Sequence, residues 1–376
     1  MLDPTPTAVG TWSGGRHMRF GRELEHDRLV ELLRPGRGVD TILTADTYGT
    51  GAGDELAGEA IAGLPRDSYC LVGAIGHDFY EGERAGAKGF PRFTDLALRQ
   101  PDQYASYIRM ATERSLERLG VDSFDLLLLH NPDHTGYSSE TVWQGMAAVR
   151  DAGLTRLLGV APGPANGYTL DMISCFERFG EVIDWAMIIM NPLEPWPAHL
   201  ALPAAARHDV KLITRVVDYG GLFHDDVRPG HEFGEHDHRT YRPEGWIENG
   251  RERVEALRPI AERHNLTMLQ LACVWNLAQT QVSCVAPTLI EEVSGEKSIE
   301  AKRAELAGVP SGSVLSEAEL ATIAEVGDNS GSMLLKGGSP QHEGDPIADS
   351  WPVTDDLAAV AERWQIDPQR QLVKTV

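Results

Sequence analysis

Three side chains of this 376-residue chain combine proton-transfer chemistry with a favourable position: Asp46, Tyr48 and His130. Asp46 and Tyr48 follow the apolar run 39–45, and His130 closes the run of four leucines from Leu126 to Leu129. A phenol ionises near pH ~10. It therefore exchanges protons near neutrality only with help from a neighbouring cation or a positioned imidazole, and a carboxylate can orient the group. Brought to one rim, the three suit protonation or deprotonation of an oxygen on a carbonyl or carbinol carbon. Plainer readings stand beside this one, with Asp46 as a turn residue before Thr47-Tyr48-Gly49 and His130 as the cap of a strand end. Trp12, Asn131, Asn191 and Trp196 fall on loops of the same rim. They suit a small, polar, ring-shaped substrate, although aromatic residues there also serve loop packing.

The elements that must position these groups follow from periodicity. Near-continuous apolar runs at 39–45, 69–75, 124–130, 155–161, 182–190, 210–217 and 281–286 read as parallel strands covered on both faces. Helical patterns lie between them, at 26–33, 54–62, 101–119, 139–152, 168–179, 198–208 and 251–264. Thr267 and Gln270 have capping-box spacing and predict a further helix over 268–279. With the region 10–12 as a first strand, eight β/α units result. Crossovers of this length join parallel neighbours, so a closed (β/α)8 TIM barrel over 1–330 is expected. In such a barrel chemistry sits at the C-terminal strand ends. A long polar loop after strand 7, residues 222–250, is expected as an inserted lid. Residues 331–376 are expected as a C-terminal extension packing on the barrel or on a second subunit, so a homo-oligomer is one possible assembly. A charged stretch, 290–312, starts a helix near Ser298.

Composition narrows the function classes. The formal net charge of −22 repels phosphate backbones and anionic lipid, which argues against nucleic-acid and membrane partners and for a small-molecule substrate. The apolar runs are too short to span a bilayer, and residues 1–10 carry no export signal. Cys70, Cys175, Cys273 and Cys284 lie far apart in apolar runs and read as reduced thiols of a cytoplasmic protein. The insert is rich in His, Asp and Glu, among them His224, Asp225, His231, Glu235 and Asp237. Such side chains ligate Zn²⁺ or Mn²⁺. Their irregular spacing and the neighbouring Arg228, Arg239 and Arg242 favour an ion-paired lid with no metal.

At these residues the sequence resembles the aldo/keto reductases. Gly10-Thr11-Trp12 is similar to the family's first-strand turn. Asp46-Thr47-Tyr48-Gly49, followed by Glu55 and Gly58, resembles its D-x-x-x-Y-G...E-x-x-L-G region, with Asp and Tyr closer together than usual. Ser115-Leu116-Glu117-Arg118-Leu119-Gly120, then Asp125-Leu126 and His130, resembles its S-L-x-x-L-G...D-L...H signature. The resemblance implies a (β/α)8 reductase using NADP(H) or NAD(H), with Tyr48 as general acid aided by His130 and Asp46. It also places Thr11, Arg215 and Leu222 against the cofactor.

Several positions depart from the pattern. The lysine expected in the third strand is Ala74, preceded by Gly73, so the usual activating cation of Tyr48 is missing. His77, just beyond, is a candidate replacement as cation or proton carrier, or else a loop histidine in solvent. The Ser-Asn pair expected to hold the carboxamide is Ala161-Pro162, the expected Gln is Met190, and the stacking position is Arg215. Glu291 and Glu292 stand where basic residues would take a 2′-phosphate, which two carboxylates would repel. Three readings follow. One is a divergent carbonyl oxidoreductase on a small polar, sugar-like substrate. Another is a lyase or isomerase working without a nicotinamide, by elimination or enolisation beside a carbonyl. The last is a non-catalytic regulatory barrel.

Overall fold

A computed structural model of the protein describes residues 2–85, 89–163, 168–234, 236–242, 244–295, 297–330 and 353–372. Its centre is a parallel barrel of β1 (Ala8–Gly10), β2 (Thr41–Leu43), β3 (Cys70–Ile75), β4 (Phe124–His130), β5 (Thr155–Ala161), β6 (Trp185–Ile189), β7 (Lys211–Arg215) and β8 (Val282–Ala286), paired in chain order. The parallel bridge between Thr7 and Val285 joins the last strand to the first, and the Val285 N–H donates to the Pro6 carbonyl at 2.9 Å. The crossovers carry α1 (His26–Leu33), α2 (Ala52–Ile61), α3 (Tyr104–Leu119), α4 (His134–Ser138), α5 (Glu140–Asp151), α6 (Tyr168–Phe179), α7 (Leu202–Arg207), α8 (Trp246–Arg263) and α9 (Met268–Leu277). After β8 follow α10 (Ile299–Ala307), α11 (Glu317–Gly327), α12 (Asp355–Arg363) and α13 (Pro368–Gln371). This is the (β/α)8 TIM barrel that the alternation predicts.

Strand alternation sorts side chains into two cores. In β3, Cys70, Val72 and Ala74 point into the barrel, and in β4 Leu126 and Leu128 do the same. Leu71, Ile75, Leu127 and Leu129 face the helices. Towards the C-terminal strand ends the inward residues become small, with Ala45, Ala74, Ala161 and Ala286, and Trp12 packs among them. Small side chains there leave room for a cleft above the filled barrel.

Observed strands are shorter than the apolar runs: 39–45 reduces to Thr41–Leu43 and 182–190 to Trp185–Ile189. Ladder hydrogen bonds end a strand, whereas its apolar neighbours continue into the turns. The Thr267–Gln270 capping box is present in both directions, at 3.2 and 3.1 Å. Ser298 caps α10, as its position implies. The described part of the C-terminal extension lies on the outer wall of its own barrel. There Arg363 pairs with Glu177 of α6 at 3.0 and 2.5 Å, and the Trp364 indole N–H donates to the same carboxylate at 3.0 Å. Residues 331–352 lie outside the described residues. No helix among the described residues is long and apolar enough to cross a membrane.

Candidate active site

Asp46 and Tyr48 sit on the turn leaving β2. The Asp46 N–H donates to the Ala74 carbonyl at 3.1 Å, continuing the barrel ladder, and the Tyr48 N–H turns back to Ala45 at 3.0 Å. The chain then passes through left-handed backbone at Gly49, Thr50 and Gly51, with φ of 59°, 54° and 107°. A Cβ on Gly53 would lie 2.9 Å from the Tyr48 Cβ, so the start of α2 accepts the phenol's backbone only without a side chain. His130 is the last residue of β4, directed inward by the same alternation as Leu126 and Leu128. Its ring centre is 5.8 Å from that of Tyr48, edge to face at 83°. Both line a cleft of about 290 Å³ together with His77, Asn131, Arg215 and Asp218.

Burial governs the protonation of this group. It raises the Tyr48 phenol above its ordinary value, against an opposing pull from the Arg215 guanidinium, so the phenol is protonated at neutral pH. His130 is pushed well below its usual value by burial first, then by His77, Arg215 and Arg92. Burial, with Arg92, lowers His77 to about 3. His77 is therefore neutral and does not replace the missing lysine as a cation. The Arg92 Nη1 group, which can only donate, lies 2.9 Å from Nδ1 and also donates to the Phe90 carbonyl at 3.2 Å. At the other ring nitrogen, Nε2 accepts from the Asn131 Nδ2 amide at 3.3 Å, and Nδ1 also lies 3.3 Å from the Phe90 carbonyl.

Asp46 is fully buried, with no hydrogen-bond partner in good geometry for either oxygen among the described residues. Burial, then the charge of Asp54, raises its pKa well above its ordinary value, and the Arg118 charge and the Thr47 backbone N–H offset this only in part. Asp54 itself is held by Thr44 at 2.9 Å, Ser115 at 2.7 Å and Arg118 at 3.1 Å.

The other residues singled out from the sequence are placed unequally. Trp12 backs Tyr48 edge to face, with ring centres 6.5 Å apart. Asn191 is buried in a turn, donating to Glu194 at 2.9 Å and accepting from the Leu193 N–H at 2.9 Å. Trp196 is buried, and its backbone N–H and carbonyl bond the Asn329 side chain at 3.0 and 3.1 Å. Thr11 and Leu222 are fully buried, and neither lines the cleft. Asp218 lines the cleft and Arg92 stands behind His77 without a sequence signal, because the fold delivers them from long connections, whereas Arg239 and Arg242 come from the polar insert.

The insert forms one wall of the cleft through His238, Arg239 and Arg242. Arg239, 1% exposed, joins Asp237 at 2.7 Å to Glu292 at 2.5 Å, and His231 meets the same glutamate at 3.2 Å. Asp225 pairs with Arg228, Arg251 and Arg258 at 2.8–3.0 Å. Asp225 and Asp237 of the insert are thus occupied by arginines and Asp226 by Lys302, while His224 meets the Thr288 carbonyl at 2.8 Å. No group of three or more potential metal ligands is assembled among the described residues, and Glu235 lies outside them.

A (β/α)8 barrel with a phenol and an imidazole converging at its C-terminal strand ends defines the class. The chain belongs to the aldo/keto reductase family, whose model matches residues 7–307. It is 25% identical over 291 residues to a probable voltage-gated potassium channel subunit beta from Arabidopsis thaliana, covering 74% of this chain and 82% of that protein. It is 26% identical over 286 residues to the aldo-keto reductase yakc [NADP(+)] of Schizosaccharomyces pombe, covering 73% and 77%. Among solved structures, the glycerol dehydrogenase AKR11B4 from Gluconobacter oxydans superposes with a TM-score of 0.66 at 21% identity, over 87% of this chain and 92% of that one.

The fit of the family's cofactor divides into two parts. The 2′-phosphate end does not fit. Glu291 already occupies the N-terminus of α10, accepting from the Ile299 N–H at 3.2 Å, and is clamped by Arg28 at 3.0 and 2.6 Å. Glu292 is locked under Arg239. The position that favours an anion is filled by the chain's own carboxylate. The nicotinamide end is compatible with the cleft: Arg215 and Asn131 line it, and Arg215 Nε and Asn131 Oδ1 are buried polar atoms without partners among the described residues.

Proposed function

We propose that the protein is a carbonyl oxidoreductase acting on a small polar carbonyl or carbinol compound, with Tyr48 as the proton-transferring residue. The approach of a protonated phenol to a neutral imidazole within a cleft carries this reading. Tyr48 donates its proton to the carbonyl oxygen during reduction and recovers one from water. His130, held neutral, hydrogen-bonds the same oxygen. Burial disfavours the ionised form of Asp46 and so limits the negative charge opposing the forming phenolate, and Arg215 stabilises that phenolate electrostatically. A nicotinamide, when bound, supplies or removes the hydride at carbon. Asn131 would hold its ring end, and NAD(H) suits the chain better than NADP(H) because of Glu291 and Glu292.

A second reading, redox-neutral elimination or enolisation beside a carbonyl, is favoured by Ala161, Pro162 and Met190, which lack the expected carboxamide contacts. It needs the same acid and base without a hydride. Fluorescence titration with NADH and NADPH separates the two. Dissociation constants above about 1 mM for both would leave the site empty in a cell and refute the oxidoreductase reading.

A further inference from the structure

In a chain of net charge −22, the cleft is a place where cations gather. Two of its arginines are matched by acids. Arg239 holds Asp237 and Glu292, and Arg242 holds Glu194 at 3.1 Å while lying over the rings of Tyr219 and Trp246. Arg215 is different. One Nη donates to the Pro162 carbonyl at 2.8 Å, its buried Nε has no partner, and no carboxylate of the described residues comes within ion-pair distance. Behind His77, Arg92 also lacks a carboxylate partner among the described residues, and its donors go to His77 and to the carbonyls of Phe90 and Asn131.

The acids nearby are committed elsewhere. Asp218 accepts the backbone N–H groups of Thr288 at 2.7 Å and Gly221 at 3.0 Å. Asp133 accepts from Thr94 and from the Gly136 N–H, both at 2.8 Å. The imidazoles between the two guanidinium groups are neutral. A guanidinium does not deprotonate in a protein, so the floor of the cleft keeps a positive charge that the described chain leaves unmatched. Holding such a charge away from water is unfavourable unless an anion meets it.

We infer that Arg215 anchors a carboxylate of the substrate, making the substrate an acidic carbonyl or carbinol compound such as an oxo acid or a sugar acid. The planar fork of a guanidinium matches a carboxylate in two parallel hydrogen bonds. Pairing there fixes one end of the molecule while its carbonyl or carbinol oxygen faces Tyr48 and His130, which line the same small cleft. This inference rests on the reading of the cleft as the reaction site, and it concerns binding rather than turnover.

The test is calorimetric titration of the full chain in low-chloride buffer at pH 7. Glucuronate and tartrate serve as acids, with glucose and threitol as their neutral counterparts. The acids bind at least tenfold more tightly than the neutral compounds. Arg215→Gln weakens the acids by about 10- to 100-fold, the range for a hydrogen bond to a charged group, and Arg215→Lys recovers part of the loss. Equal binding of acid and neutral members by the unaltered protein overturns the inference, and so does absence of binding by both acids. That comparison needs no variant, so it stands even where Arg215→Gln does not fold. A preference for acids that survives Arg215→Gln in folded protein overturns it as well. Acids that bind through Arg215 without turning over with NADH instead contradict the proposed reaction and leave the anchor intact.

Discussion

Replacing Asp46 by asparagine exposes the electrostatic consequence of the alanine at position 74. Asp46 is fully buried without an ion-pair partner among the described residues, and its pKa is raised well above its ordinary value, chiefly by desolvation, with the more distant Arg118 charge opposing only in part. In the unfolded chain it ionises with a pKa of about 3.9. Between that pH and its folded pKa, the folded state binds one proton more than the unfolded state. The carboxyl therefore reduces stability by about 1.4 kcal/mol for every pH unit of increase across the window. Below pH ~4 both states are protonated and the contribution is flat. The amide introduced by Asp46→Asn cannot titrate, so the stability difference, variant minus wild type, climbs with pH at that slope from pH ~4 upward and levels off where the folded carboxyl ionises. Any fixed gain or loss from the amide shifts the difference equally at every pH and leaves its slope intact. Urea denaturation at half-unit steps from pH ~4 to pH ~8 measures it. Parallel curves for the two proteins over that range, or a wild type that gains on the variant as pH rises, would refute the reasoning.

Dinucleotide choice follows from Glu291. At about 6 Å and an effective dielectric of 20 to 80, a carboxylate repels each unit of phosphate charge by roughly 0.7 to 3 kcal/mol. NADH should therefore bind several-fold to about 100-fold more tightly than NADPH, and Glu291→Gln should narrow the gap in fluorescence titrations. An NADPH preference would contradict this. Arg239→Met, which strands Glu292 and Asp237 beneath the lid, should cost about 3–5 kcal/mol in urea denaturation. A loss below about 1 kcal/mol would show that the lid is not held by this network.

The barrel was legible because each strand is apolar on both faces, a pattern that a parallel sheet demands and a half-exposed sheet does not. Asp46, Tyr48 and His130 stood out because the end of an apolar run marks the mouth of such a barrel. The Thr267–Gln270 cap was legible because both of its bonds span three residues. Asn191 illustrates the opposite case. It lies at the mouth in sequence terms, yet its carbonyl closes a local turn onto Leu193, a pattern that Asn-Pro-Leu carries in its own residues. Arg92 and Asp218 were out of reach. Arg92 acts through His77, 15 residues earlier, and Asp218 through Thr288, 70 residues later. Pairings of that range are decided by the closed barrel rather than by any local pattern. The neutrality of His77 has the same origin, since it depends first on the burial the folded chain imposes and then on where Arg92 is delivered.

The most direct test of the account is the pair of measurements on Tyr48→Phe: steady-state turnover with NADH and a carbonyl substrate, and NADH affinity by fluorescence. Removing the phenolic hydroxyl should lower kcat by about 10²- to 10⁴-fold, the range for a general acid, with NADH affinity unchanged within about twofold. Turnover within about threefold of wild type would contradict the assignment of proton transfer to this side chain.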